Sequence, residues 1–105
     1  MSGWYGFDLD GCTAHYEEWR GIEHIGAPIA PIVRMIQTLL MRGKEVRIFT
    51  ARACEPKSIP YIEAWCEKHI GKKLPVTNVK DYGMIVLYDD RAIQVEENTG
   101  RIIAD

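Results

Sequence analysis

The stretch Trp4-Tyr5-Gly6-Phe7-Asp8-Leu9-Asp10-Gly11 decides how the chain is read. Trp4 to Leu9 is a short aromatic and apolar run, and it stops at Asp8-Leu9-Asp10-Gly11. It therefore reads as a first strand ending on carboxylates. The arrangement recurs twice downstream. Val46 to Phe49 reads as a strand ending at Thr50-Ala51-Arg52. Met84 to Tyr88 is an uninterrupted apolar run ending at Asp89-Asp90-Arg91, the pattern of a strand buried on both faces.

The segments between these runs have helical spacing. Ile29, Ile32, Val33, Ile36, Leu39 and Leu40 form one stripe; Pro28 and Pro31 fit only near its start, and Gly43 supplies a stop. Ile59, Ile62, Trp65, Cys66 and His69 form a second stripe, closed by Gly71. Pro75 to Val79 reads as a short strand, and Ala92 to Ile103 as a hairpin turning at Asn98-Thr99-Gly100. Residues 12–28 show no period and read as a loop or small flap. Strands alternating with helices imply a mainly parallel sheet with right-handed crossovers. Ligands of such sheets bind at the carboxyl ends of the strands. Those ends are where Asp8/Asp10, Thr50/Arg52 and Asp89/Asp90 fall, so the fold should bring them to one rim.

Bulk properties narrow the classes. A chain of 105 residues allows a single domain, residues 1–105. With 47% hydrophobic and 27% charged residues, disorder is not expected. Thirteen Lys+Arg against fifteen Asp+Glu give a net charge of -2, which is no footprint for non-specific nucleic-acid binding, although it leaves a local basic patch open. The apolar stretches fall short of the roughly 20 residues of a membrane span. Met1-Ser2-Gly3-Trp4 lacks the pattern of a leader, so no membrane partner and a cytoplasmic location are the default expectations. Cys12, Cys54 and Cys66 show no CxxC spacing and read as free thiols.

Carboxylates converging on one rim repel by about 1 kcal/mol per pair in water and by more at lower dielectric. Either some of them hold a proton or a cation lies between them. Hard divalent ions take oxygen ligands, and Mg²⁺ uses one or two carboxylates with waters and substrate phosphate. No His or Cys sits in these clusters, which disfavours zinc. Mg²⁺ with a hydroxyl (Thr50), a lysine (Lys80) and arginines (Arg52, Arg91) suits a phosphoryl group, whose transfer needs positioning and charge neutralisation. A carboxylate can be the nucleophile.

At this point the motifs resemble a family. Asp8-Leu9-Asp10-Gly11 after an apolar strand resembles motif one of the haloacid dehalogenase (HAD) superfamily of phosphatases. Thr50 in Ile48-Phe49-Thr50-Ala51-Arg52 resembles motif two, Lys80 in Asn78-Val79-Lys80 motif three, and Asp89-Asp90 motif four, in the family's order across residues 4–91. The resemblance implies a three-layer Rossmann-like (HAD-like) fold and a phosphomonoester hydrolase. It implies that Asp8 attacks phosphorus and that Asp10 serves as acid and then base. Thr50, Lys80 and Arg52 would meet phosphoryl oxygens. Mg²⁺ would be held by Asp8, the main-chain carbonyl of Asp10, and Asp89 or Asp90. The family usually has Thr or Val where this chain has Cys12, a change between small side chains. Thr-Ala-Arg and Asp-Asp-Arg followed by Gln94-Val95 are also similar to the 3′-phosphatase half of phage polynucleotide kinase-phosphatase. There Arg52 and Arg91 would contact phosphate or, equally, pair with the rim carboxylates.

Other residues read more plainly. His15 and His24 are expected on the flap surface, His69 as structural, and Trp4, Tyr5, Tyr16 and Trp19 as core or flap packing, with a base-stacking platform as the alternative. Two rival classes remain: a signalling receiver domain, which lacks support because no middle-strand Asp precedes Thr50, and a non-catalytic HAD-like phosphate- or nucleotide-binding module. No segment is long enough for a cap domain, so an open, capless site is expected. Its substrate would be a phosphorylated small molecule or a nucleic-acid end, covered by itself, by the flap or by a neighbouring subunit of a homo-oligomer.

Overall fold

A computed structural model describes residues 3–103; Met1 and Ser2, which begin the segment read for a leader, lie outside the described residues. Strand β1 is Trp4–Phe7, β2 is Glu45–Phe49, β3 is Val76–Thr77 and β4 is Met84–Tyr88. Helix α1 spans Ala30–Met41 and α2 spans Ile59–His69, the latter preceded by two 3₁₀ turns at Ala51–Cys54 and Pro56–Ser58. The sheet runs β3-β2-β1-β4, and all its pairs are parallel. It is a Rossmann-like α/β fold.

Local chemistry explains the boundaries. β1 ends two residues earlier than its apolar run because the Leu9 carbonyl accepts the N–H groups of Cys12, Thr13 and Ala14 at 3.3, 3.0 and 2.8 Å, which curls the chain into a turn. α1 has Pro31 in its first turn, where no intrahelical N–H is needed, and it stops before Gly43 at φ +76°. α2 ends before Gly71 at φ +103°.

Phe7, Val46 and Ile48 share one core with Val33 and Ile36 of α1 and Ile62, Trp65 and Cys66 of α2. The crossovers from β1 to β2 to β3 step in one direction, and both helices pack on the same side of the sheet, the one that carries Phe7, Val46 and Ile48. The β3–β4 connection is a loop, so the other side is finished by side chains. The Trp4 ring lies over Gly6, whose missing Cβ would come 3.0 Å from it. Arg47 stacks on Trp4 at 4.5 Å, and the indole N–H donates to Asp81 at 2.8 Å.

The expectation that Met84–Tyr88 is buried on both faces does not hold. β4 is an edge strand, and Ile85 and Val86 are 55% and 38% exposed. The expected hairpin is present: Val95 pairs with Ile102, and Asn98 and Gly100 adopt positive φ in its turn. No helix among the described residues is long and apolar enough to cross a membrane. All three cysteines are free.

Candidate active site

Because β2, β1 and β4 are neighbours in the sheet, their carboxyl ends bring Thr50, Asp8 and Asp89 side by side. A cavity of about 830 Å³ opens there, walled by Asp8, Asp10, Thr50, Arg52, Asp89 and Asp90. The rim expected from three strand ends therefore exists.

Asp8, Asp89 and Asp90 each offer a carboxylate oxygen within 4.8 Å of the others. Burial, a hydrogen bond with the Asp90 side chain and the charges of Asp89 and Asp90 push the Asp8 carboxyl up to about 7, while the Leu9 N–H works the other way. A hydrogen bond between two carboxyl groups needs a shared proton, so this cluster either keeps a proton or takes a cation. Three hard oxygen donors at this spacing suit an oxygen-seeking divalent ion. Asp89 also accepts the Arg91 N–H at 2.8 Å, which fixes the start of the loop after β4.

Gly11 makes the cluster possible. It sits at φ +88°, and a Cβ there would lie 2.6 Å from an Asp90 carboxylate oxygen. Beside it the buried Thr13 hydroxyl donates to the Asp8 carbonyl at 2.6 Å. The Cys12 thiol, pushed up to about 11 chiefly by burial, packs against the Tyr88 carbonyl at 3.5 Å. The Cys12 position is thus a packing site, as its small size suggested.

Asp10 stands apart from the triad. Arg52 Nε and Nη2 donate to its two oxygens at 2.8 and 2.9 Å, and Nη2 also donates to the His24 carbonyl at 3.0 Å. Of the two readings given for Arg52, the pairing with a rim carboxylate is formed: the guanidinium is turned to Asp10 and to the flap. The fork occupies one acceptor direction on each carboxylate oxygen and leaves another open, so Asp10 is oriented without being blocked. Arg52 Nη1 is buried with no partner among the described residues. The Trp19 indole lies 4.9 Å over the guanidinium.

Thr50 is buried, its hydroxyl accepts the Arg52 N–H at 3.2 Å, and it lines the cavity, as expected. Lys80 is not brought there. It is exposed on the β3–β4 loop and forms no ion pair among the described residues; the Thr77 hydroxyl turns that loop by accepting the Val79 N–H at 3.0 Å, and Asn78 lines the cavity in its place. Arg91 does reach the lining. His15 and His24 are exposed on the flap, as expected. Tyr16 and Trp19, read from the sequence as flap packing or as a stacking platform, line the cavity, and so does Asn78, which sequence reasoning missed. The signal for the two aromatics was their place in a polar, aperiodic segment with no stripe to join.

Fold and site together define a Rossmann-like α/β protein with a carboxylate triad and a buried threonine at the carboxyl ends of its parallel strands. No family model matches the chain, and no curated protein matches it. A solved structure described as that of a conserved protein coded by a locus from Bacteroides thetaiotaomicron is similar with a TM-score of 0.67 at 17% identity, over 88% of this chain and 78% of that one. At that identity the likeness shows the fold alone.

Proposed function

We propose that this chain is a phosphomonoester hydrolase of the HAD type, working through an aspartyl-phosphate. What carries the reading is the convergence of Asp8, Asp89 and Asp90 with Thr50 on one cavity, in the motif order that resembles that superfamily. Asp8 is the nucleophile. One of its oxygens forms a bond to phosphorus as the bond from phosphorus to the ester oxygen breaks. Asp10 gives a proton to the departing oxygen, then takes one from the water that attacks the acyl-phosphate. That second step releases inorganic phosphate and restores the Asp8 carboxylate. Thr50 donates its hydroxyl to a phosphoryl oxygen. Arg52 is a positioning residue that holds Asp10. Asp8, Asp89 and Asp90 would hold Mg²⁺, which supplies charge neutralisation at the phosphoryl group when bound.

The test is hydrolysis of p-nitrophenyl phosphate with and without Mg²⁺. Wild type is expected to turn over only with the metal, and Asp8→Asn to lose at least about a hundredfold in rate, the scale of removing a group that acts in the chemical step. Full Mg²⁺-dependent turnover by Asp8→Asn would remove Asp8 from its role. The exposed position of Lys80 favours a second reading, a non-catalytic phosphate-binding module, which predicts phosphate binding with no turnover in either arm.

A further inference from the structure

The cavity is larger than a phosphoryl group requires. At about 830 Å³ it falls in the range that holds a whole small molecule, whereas the phosphoryl chemistry uses only the end at Asp8 and Thr50. The remaining wall includes Tyr16 and Trp19 of the flap. Tryptophan is ordinarily invested in a core, and the other two of this chain are 1% and 7% exposed. Trp19 is 55% exposed and Tyr16 is 44% exposed, both on the cavity.

Trp19 also has a fixed neighbour. One face lies 4.9 Å from the Arg52 guanidinium, which is locked by two bonds to Asp10 and one to the His24 carbonyl. A ring positioned in advance loses little entropy when a flat ligand stacks on it. A sugar phosphate has no π face to offer, whereas a nucleobase has one, and a ribose separates it from its phosphate. The flap's charge then narrows the class. Residues 12–28 carry Glu17, Glu18 and Glu23 against Arg20, and this excess of negative charge opposes the long polyanion of a nucleic-acid strand.

Resting on the phosphatase reading above, we infer that Trp19 and Tyr16 form a stacking platform that makes a free nucleoside monophosphate the preferred substrate class, the phosphate lying at Asp8 and the base on the flap.

The test measures binding by calorimetry in the Asp8→Asn protein with Mg²⁺, using AMP, ribose 5-phosphate, O-phosphotyrosine and a short 3′-phosphorylated oligonucleotide as probes. AMP is expected to bind tightest. Its advantage over ribose 5-phosphate should fall at least about fivefold in Trp19→Ala, the lower bound for one stacked base, and return in Trp19→Phe. An unchanged ratio overturns the platform even where Mg²⁺-dependent turnover is present. Tighter binding of the oligonucleotide or of phosphotyrosine overturns the assignment to a free nucleotide. If the ratio moves as expected and wild type turns over no phosphomonoester, the platform stands and the hydrolase reading falls.

Discussion

Asp8 and Gly11 show how single residues set the chemistry of this rim. In the folded chain the Asp8 carboxyl titrates at about 7, against an ordinary 3.8. The folded state therefore holds the extra proton between those values. The contribution to stability is present in full below the lower value and is lost as pH rises through the upper one. In EDTA, Asp8→Asn should melt above wild type, with the gap widening from about pH 4 to about pH 7, and added Mg²⁺ should raise wild type more than the variant. A gap that does not change with pH would mean that Asp8 is not where the strain of the cluster is held. Gly11→Ala places a methyl against the Asp90 carboxylate at positive φ, at a cost of about 1–3 kcal/mol. Asp90 has to swing away to admit it. Thermal melts should fall, and a Mg²⁺ titration should weaken along with them.

At the scale of elements, the flap is a loop tied down at several points. Its ends are joined where the N–H groups of His15 and Ile29 donate to the Ala27 and Thr13 carbonyls, each at 2.8 Å. Its middle is tied to α2, where the Trp65 indole N–H donates to the Gly26 carbonyl at 2.9 Å, and to the 3₁₀ turn after β2, through Arg52. Trp65→Phe keeps most of the buried ring and removes one tie. It should cost about 1 kcal/mol and speed proteolytic nicking within residues 15–28. Unchanged nicking would mean that the remaining ties hold the flap without it. This tie joins residues 39 apart in sequence, and no periodicity announces it. The stripes of α1 and α2, by contrast, were legible because each helix buries one face against a sheet.

Across the whole molecule the two faces of the sheet differ. The helix-covered side holds Ile48, fully buried in β2, while the edge strand β4 leaves Ile85 exposed. Ile48→Ala should cost about 2–5 kcal/mol in urea unfolding. Ile85→Ala should cost about 0.5 kcal/mol or less. A loss at Ile85 as large as that at Ile48 would show that a second chain covers this edge in solution.

Strand and helix identities follow from local pattern, because period-two and period-3.6 burial are written directly into residue order. So is the placing of Asp8, Thr50 and Asp89 at strand ends, since each apolar run stops where its polar cluster begins. The order of strands is not written there. It leaves β4 at an edge and so exposes a run that composition alone assigns to the interior. Side-chain partners across the rim are decided in three dimensions as well. Arg52 serves Asp10, and Lys80 is exposed outside the cavity lining, because turn geometry after β2 and β3 sets which cation reaches the cavity. Residue order therefore sets the elements and the carboxylates that end them. The tertiary structure alone decided which groups meet, because the distances between them depend on packing and not on spacing along the chain.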